Sequence, residues 1–142
     1  MTEPARPVPV PDERSAPYWE AAARHVLMVS RCARCGNLAH PPADVCPHCR
    51  STEPGFAWEP VSGRGTVRSW TVMHQSSLPG FDADLPFVLV DVELVEQPEL
   101  RLIGRLVDGP GAPLRAGARV VAAFEDIGDG VSVPAFALEV DA

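Results

Sequence analysis

The apolar residues of this chain recur at the spacing of a helix before residue 26 and in the pattern of β-strands after it. Between Pro17 and His25, PYWEAAARH, the residues Tyr18 and Ala22 repeat at the four-residue spacing of an amphipathic helix. Ser15 stands before them, where a helix N-cap is favoured. From His25 to Ser30, HVLMVS, the pattern becomes a β-type apolar run. The sequence therefore predicts a short N-terminal helix that leads into a strand.

Residues 63–142 contain five short segments with the apolar content of β-strands, separated by residues that favour turns. The predicted strands are Gly65–His74, Pro86–Val95, Arg101–Val107, Arg119–Phe124 and Val133–Val140. Residues 126–130 are predicted as a turn, and Gly104 predicts a bulge or a tight bend. Five such strands fit a small closed barrel of the OB type, with a split sandwich as the alternative.

All four cysteines lie between Arg31 and Ser51, RCARCGNLAHPPADVCPHCRS, as two CxxC pairs: Cys32 with Cys35, and Cys46 with Cys49. Each pair lets two thiolates approach one ion from a tight turn, and two facing turns complete a tetrahedron. Structural Zn²⁺ sites accept four thiolates at about 2.3 Å. Gly36 supplies the positive φ that such a turn often needs, whereas Arg50 stands at the equivalent place in the second turn. The pattern predicts a structural zinc site in a ribbon.

Other uses of cysteine agree less well with the sequence. Two disulfides would need an oxidising compartment, and the N-terminus MTEPARPVPV has no basic start and no apolar core of a signal peptide. A zinc deaminase needs a His-x-Glu motif, but His40 is followed by Pro41 and Pro42. Iron in a four-thiolate centre stays open, because geometry alone does not separate it from zinc.

Composition narrows the classes of protein to consider. A chain of 142 residues can hold one ordinary domain, or a small domain fused to a metal module. The net charge of −7 disfavours nonspecific contact with nucleic acid phosphates, which needs clustered positive charge. No apolar run approaches the roughly 18 residues that span a bilayer. We therefore expect a soluble cytoplasmic protein.

These patterns divide the chain into four parts. Residues 1–14 hold four prolines and predict a flexible Pro-rich arm. Residues 15–30 are the N-terminal helix and the lead-in strand, residues 31–62 the zinc ribbon and a linker, and residues 63–142 the OB-fold domain. The loop Gln75–Leu85 has a length that often serves binding, although an ordinary surface loop is nearly as compatible with it.

No catalytic constellation is present in the sequence. The chain has no GxSxG motif and no P-loop, and Gly63-x-Gly65 lacks the third glycine of a dinucleotide fingerprint. Its cysteines are assigned to the metal, so no thiolate nucleophile remains. His74, beside Gln75-Ser76-Ser77, is more typical of a hydrogen-bonding surface residue than of an acid–base catalyst. We expect a binding or scaffolding module that is not catalytic alone.

Several short motifs follow one another in a defined order along the chain. They are Tyr18-Trp19, Arg31-Cys32-x-x-Cys35-Gly36, Pro41-Pro42, Cys46-Pro47-x-Cys49, Gly63-x-Gly65-Thr66, Val92-Glu93-Leu94, Leu102-Ile103-Gly104-Arg105, Gly117 and Phe124-Glu125. Together they resemble the zinc-ribbon plus OB-fold family of proteins that accompany acyl-CoA enzymes. The resemblance covers nearly everything after Ser15, and Arg50 departs from the glycine that is frequent after the last cysteine.

The resemblance implies a mainly β protein with a helix, a rubredoxin-like ribbon and an OB barrel, in that order. Family members act as subunits or fused domains beside thiolase-fold enzymes, among them aldolases that cleave steroid side chains, and beside enoyl-CoA hydratases. The partner holds the catalytic residues. We therefore expect an accessory subunit that binds and stabilises a thiolase-like acyl-CoA enzyme in a hetero-oligomer. Its setting would be steroid side-chain or fatty acyl-CoA degradation, and it could help to form the acyl-CoA site.

Six residues outside the metal site are candidates for intermolecular contact, because aromatic and arginine side chains are enriched at interfaces. The candidates for the partner interface are Trp58, Trp70 and Phe81, with core packing as the stronger alternative for Trp70. The candidates for pairing with CoA phosphates or partner carboxylates are Arg64, Arg68 and Arg105. An ordinary solvated face is the alternative for these arginines.

Three rival functions are distinguishable by simple measurements. A nucleic-acid-binding zinc-ribbon and OB protein would need a basic groove with stacking aromatics, which the net charge of −7 disfavours. An iron-containing electron carrier would absorb visible light. A stand-alone acyl-CoA-binding protein or enzyme would bind or turn over acyl-CoA without a partner.

Overall fold

A computed structural model describes residues 5–139 of the chain. Its helix α1 (Ala16–Ala23) is followed by eight strands: β1 (Met28–Arg31), β2 (Leu38–Ala39), β3 (Ala57–Pro60), β4 (Arg64–Met73), β5 (Phe87–Leu94), β6 (Arg101–Leu106), β7 (Arg119–Gly128) and β8 (Val131–Leu138). A short 3-10 helix, Asp82–Asp84, precedes β5. The predicted mainly β class with an N-terminal helix is confirmed. No helix within the described residues is long and apolar enough to cross a membrane.

Strands β4 to β8 form a closed barrel in the order β4-β5-β6-β8-β7. Neighbouring strands are antiparallel except β6 and β8, which are parallel. The barrel closes where Arg64–Thr66 of β4 pair with residues 119–121 of β7. Its interior is filled by apolar side chains, and Val90, Val120 and Phe136 are fully buried. The predicted five-stranded barrel is confirmed, and the split sandwich is excluded.

Two local predictions differ from the structure. Strand β7 continues to Gly128, so residues 126–128 pair with β8 across a register shift instead of forming a turn. Gly104 pairs regularly with Val90 of β5, and the bulge lies in β4 between Val67 and Ser69. Gly104 is small for a packing reason, because a Cβ at this position would lie 3.0 Å from the Phe136 ring.

The Gly63-x-Gly65 motif brings the start of β4 close to its two neighbours in the barrel. Gly63 has a φ of +80°, and a Cβ there would lie 2.6 Å from the Cβ of Ala122 on β7. A Cβ at Gly65 would lie 2.5 Å from the carbonyl oxygen of Glu93 on β5. Contacts this short cannot be accommodated without moving backbone. The two glycines therefore permit barrel closure.

The region before the barrel forms a three-stranded antiparallel sheet in the order β2-β1-β3. Strand β3 lies within residues 52–62, which were predicted as a linker without a strand. Arg31 on β1 donates to both carboxylate oxygens of Glu59 on β3, at 2.6 and 2.8 Å. These hydrogen bonds raise the pKa of Arg31 and lower that of Glu59. The pair joins two strands on an exposed face of the sheet.

The ribbon sheet and the barrel share one hydrophobic core. Tyr18 of α1, Val29 of β1 and Leu38 of β2 belong to the same buried cluster as barrel residues such as Val88 and Leu102. Burial raises the pKa of Tyr18 to about 12. The helix buries Tyr18, Ala21 and Ala22, so the predicted apolar stripe is present. Packing of the helix and the ribbon on the barrel therefore fixes their position.

Gln97, in the turn between β5 and β6, connects the barrel to the ribbon through backbone groups. Its Oε1 accepts a hydrogen bond from the N–H of Leu38 at 2.8 Å, and its Nε2 donates to the carbonyl oxygen of Leu38 at 2.8 Å. One side-chain amide thus satisfies both backbone groups of a residue in the edge strand β2. This is the hydrogen bonding that a neighbouring strand would provide.

The predicted Pro-rich arm is described from Ala5 onward, and residues 1–4 lie outside the described part of the chain. Arg6 forms ion pairs with Asp84 and Glu125, donates to the carbonyl oxygen of Gly80 at 3.2 Å, and lies 4.5 Å from the ring centroid of Phe81. The start of the described arm therefore contacts the loop between β4 and β5. Val140, the predicted end of the last strand, also lies outside the described residues.

We expect Gln97→Glu to weaken the attachment of the ribbon to the barrel. A carboxylate still accepts from the N–H of Leu38, but its second oxygen faces the Leu38 carbonyl, where a donor is required. The free energy of unfolding should fall by about 1–3 kcal/mol. Urea denaturation of the metal-loaded protein measures this change.

The matched control is Gln75→Glu, which adds the same charge at an exposed loop position. It should leave the unfolding free energy close to that of the wild-type chain. Equal stability of the two variants would show that the Gln97 amide does not contribute to the attachment.

Candidate metal centre

Two tight turns bring the four cysteines to one point in the ribbon. In the first turn the N–H of Gly36 donates to the carbonyl oxygen of Cys32 at 2.9 Å, and in the second the N–H of Arg50 donates to that of Cys46 at 2.9 Å. Gly36 has a φ of +77° and Arg50 a φ of +64°. The two positions are therefore equivalent, and Arg50 adopts a left-handed conformation that favours glycine.

The four sulfur atoms have the separations that a single tetrahedral ion requires. All four lie within 4.8 Å of one another. The Sγ atoms of Cys32 and Cys49 are 3.8 Å apart, and those of Cys35 and Cys46 are 3.7 Å apart. Metal–sulfur bonds of about 2.3 Å in a tetrahedron give sulfur–sulfur edges of about 3.8 Å. The predicted ligands therefore fit one metal ion.

Hydrogen-bond donors of the turns point toward the sulfur atoms. The N–H of Arg34 lies 3.3 Å from the Sγ of Cys32, and the N–H of His48 lies 3.4 Å from the Sγ of Cys46. Hydrogen bonding from the backbone of Asn37 lowers the pKa of Cys35 to about 6. At Cys49 the backbone of Ser51 acts in the same direction, but burial and the neighbouring sulfur atoms outweigh it and raise the pKa to about 11. Because thiolates are the metal-binding form of cysteine, these donors prepare the site for a cation.

The two histidines nearest the cysteines make other contacts. His48 Nε2 lies 3.0 Å from the carbonyl oxygen of Leu38. The ring of His40 packs on Tyr18 with centroids 5.2 Å apart, and burial lowers the pKa of His40. His40 and Pro41 line a groove of about 590 Å³ between α1 and β6. The sulfur cluster is complete without either histidine.

The three candidate arginines lie on two strands that are separated by β5, and each is paired with carboxylates of its own chain. Arg64 lies 3.5 Å from Glu139, Arg68 lies 2.8 Å from Glu99 and 3.6 Å from Glu93, and Arg105 lies 3.3 Å from Asp84 and 3.6 Å from Glu125. The structure does not bring the three together into one cationic site. A phosphate would have to compete with these carboxylates.

The three candidate aromatic residues differ in how much of their surface is available. Trp58, on β3, is partly buried and packs against the shared core. Phe81 is partly buried, with its centroid 5.7 Å from that of Phe87 and the Arg6 guanidinium on its ring. Trp70, on β4, is 42% exposed, so core packing does not describe it. Trp70 therefore offers the largest exposed fraction of the three.

Sequence reasoning missed a charged cluster in which two arginines share two carboxylates. Arg6 and Arg105 both pair with Asp84 and with Glu125, joining the arm, the loop before β5, strand β6 and strand β7. These residues are far apart in the sequence, and no local motif marks them. Only the closed barrel brings them together.

We expect Arg50→Gly to stabilise the second cysteine turn, because glycine adopts the left-handed conformation without a steric cost. The gain in unfolding free energy should be about 0.5–1 kcal/mol, which is the left-handed cost less the extra chain entropy of glycine. Urea denaturation of the metal-loaded protein provides the measurement. Arg50→Ala removes the same charge but keeps the Cβ, and a gain as large as that of glycine would rule out the backbone explanation.

Two family models match adjacent parts of this chain. One, described as the rubredoxin-like zinc ribbon domain of ChsH2, matches residues 19–55, which include all four cysteines. The other, described as the C-terminal OB-fold domain of ChsH2, matches residues 58–125. The order of ribbon and barrel that the resemblance implied is therefore confirmed.

Three curated relatives are similar over most of this chain. A DUF35 domain-containing scaffold protein of Methanocaldococcus jannaschii is 34% identical over 113 residues, covering 76% of this chain and 77% of that protein. A probable enoyl-CoA hydratase alpha subunit of Thermomonospora curvata is 35% identical over 92% of this chain, but over 39% of its own length. A 3-oxo-4,17-pregnadiene-20-carboxyl-CoA hydratase alpha subunit of Mycobacterium tuberculosis is 34% identical over 79% of this chain and 34% of its own. The chain thus spans well under half the length of these hydratase subunits.

Two solved structures have the same fold as this chain. A chain of the Ltp2-ChsH2(DUF35) aldolase has a TM-score of 0.78 and 32% identity, with coverage of 93% of this chain and 99% of that chain. A DUF35 protein of unknown function from Sulfolobus solfataricus has a TM-score of 0.58 at 12% identity, covers 89% of this chain and 86% of its own, and shows the fold alone. By its ribbon, its barrel and these similarities, the chain belongs to the DUF35 family of zinc-ribbon and OB-fold proteins.

Proposed function

We propose that this chain is a non-catalytic accessory subunit that binds and stabilises a thiolase-like acyl-CoA enzyme. The observation that carries the proposal is the match to 99% of a chain in the Ltp2-ChsH2(DUF35) aldolase. That match covers nearly the whole of this chain and of its counterpart, so the two are units of the same size and architecture. The names of the scaffold protein and of the hydratase alpha subunits support the same general role.

The titratable groups of the described residues support a binding role over a catalytic one. The cysteines surround the metal site, and Glu59, Asp91 and Glu99 each form an ion pair with an arginine. Asp126 contacts both His25, at 2.9 Å, and Ser132. Because both side chains bond to the same carboxylate, the Ser132 hydroxyl is directed to Asp126, and this group serves to join the β7–β8 hairpin to the turn after α1.

We assign Zn²⁺ as the structural ion of the ribbon. Four thiolates in a closed tetrahedral set are typical of structural zinc sites, and such sites contribute directly to folding. The ion would hold the two cysteine turns in place, and the ribbon would in turn present a fixed surface to the partner. An iron-loaded protein would instead be coloured, so the metal is identifiable on the purified chain.

The partner belongs, in this proposal, to the aldolases or hydratases that act on CoA thioesters. The match to a chain of an aldolase and the steroid-like acyl-CoA in the name of one hydratase relative support steroid side-chain degradation. Fatty acyl-CoA degradation is the alternative setting. We place the complex in the cytoplasm.

Co-purification tests the accessory role. Tagged chain expressed with the genes that neighbour its own should bring down a thiolase-like or hydratase protein, with about one zinc per chain by metal analysis. The acyl-CoA activity should require both proteins. Zinc-loaded chain without a protein partner, together with acyl-CoA binding or turnover by the chain alone, would overturn the accessory role.

Arg68→Ala tests whether this chain helps to form the acyl-CoA site. Arg68 pairs with Glu99 and Glu93 at the barrel surface, and we expect it to exchange a carboxylate for a CoA phosphate in the complex. Loss of one such contact should weaken acyl-CoA binding by at least about tenfold, since charge-assisted hydrogen bonds contribute about 1.5–3 kcal/mol. Isothermal titration of the complex measures the dissociation constant. An unchanged value would remove Arg68 from the acyl-CoA site while leaving the accessory role intact.

A further inference from the structure

Strand β4 is enclosed by the barrel over its first half only. Residues Arg64–Thr66 pair with β7, and Val67 exchanges backbone hydrogen bonds with residues 117 and 118. A bulge follows, and from Ser69 to Met73 the strand pairs with β5 alone. In the part of the chain that the structure describes, no strand pairs with the other side of this segment. We call Ser69–Met73, SWTVM, the free edge.

The free edge is exposed and apolar, yet held in an extended conformation. Trp70 is 42% exposed and Val72 is 37% exposed. Their partners across the ladder, Val90 and Val88, are buried in the core. Tryptophan, threonine and valine also favour strands. The segment is therefore a preformed strand with one set of backbone hydrogen-bonding groups facing outward.

The features that normally protect edge strands are missing from the free edge. Such strands commonly carry lysine, proline, inward-pointing charge or a bulge that turns the edge away. Ser69–Met73 contains no charged residue and no proline, and the bulge precedes the segment. The adjacent charge along the strand, Arg68, is paired with Glu99 and Glu93, and Asp91, which is opposite Ser69 on β5, is paired with Arg101. Nothing within the segment opposes the addition of another strand.

We propose that the free edge binds an extended, uncharged strand of the partner enzyme by β-augmentation, an inference that rests on the proposed accessory function. Backbone groups of the two strands pair, and this gives affinity. Trp70 and Val72 lie on one face of β4, because alternate residues of a strand share a face. They select apolar side chains two residues apart on the partner strand. Five residues at about 3.4 Å each give a contact about 17 Å long.

Charge favours a different protein over a second copy of this chain as the occupant. Around the start of the free edge lie three carboxylates, Asp91, Glu93 and Glu99, and two guanidinium groups, those of Arg68 and Arg101, so this end is net negative. A second copy would bring its own net charge of −7 and so add to the repulsion between the two chains. A partner strand flanked by a basic residue at this end complements the edge.

Amide hydrogen exchange tests the inference on the wild-type protein. The tagged chain is compared alone and in complex with the acyl-CoA enzyme that co-purifies with it. Amides of residues 69–73 that face outward should exchange at least about tenfold more slowly in the complex, because they become hydrogen bonded. Unchanged exchange in an intact complex overturns the edge inference and leaves the accessory function standing. A wild-type chain that forms no complex overturns the accessory function and the inference with it.

A pair of variants tests the apolar contact of the free edge. Trp70→Lys should weaken the complex by at least about tenfold, as expected for an aromatic residue at the centre of an interface. Ile103→Lys is the matched control, because Ile103 is 65% exposed on β6, which β5 separates from β4 on the side opposite to the added strand. Ile103→Lys should bind the partner as tightly as the wild-type chain does. Equal weakening by both variants would contradict the proposal that the free edge binds the partner. If Trp70→Lys lowers the melting temperature, Trp70→Ser replaces it, and the exchange measurement remains decisive.

Self-association gives a further outcome. If the exchange of residues 69–73 slows as the concentration of the chain alone increases, the occupant is a second copy. That result would overturn the assignment of the edge to the partner enzyme.

Discussion

The structure depends above all on the burial of one set of apolar side chains between the ribbon and the barrel. Tyr18, Val29 and Leu38 are buried where the helix and the ribbon sheet pack on the barrel, and each fully buried side chain of this kind contributes about 1.5–3 kcal/mol. A metal ion can hold the two cysteine turns together, but it cannot orient them. The shared core gives the ribbon a fixed position on the barrel.

Much of this architecture could be predicted because its causes are local in the sequence. Two CxxC pairs specify a four-thiolate site, and alternating apolar residues specify strands. The equivalence of Gly36 and Arg50 also follows from their identical distance to the cysteines, and the structure gives both a positive φ. Each of these features requires only neighbouring residues, so the rest of the chain does not alter it.

The features that were missed depend on contacts between distant residues. Gln97 is part of an ordinary turn until Leu38 lies beside it, and nothing local requires a small residue at Gly104 until Phe136 packs against it. The extent of β7 is likewise set by its pairing with β8, which overrides the turn preference of residues 126–128. Trp70 was expected to favour the core, but the half of β4 that carries it extends past the point of closure.

Leu38 connects the metal site to the barrel directly. Leu38 follows Gly36 of the first cysteine turn by two residues, its side chain lies in the shared core, and its backbone is held by Gln97 of the β5–β6 turn. Loss of the ion would therefore loosen not only the ribbon but also the turn that aligns β5, the strand on which β4 rests. The supply of the metal would thus affect the surface of the barrel as well as the ribbon.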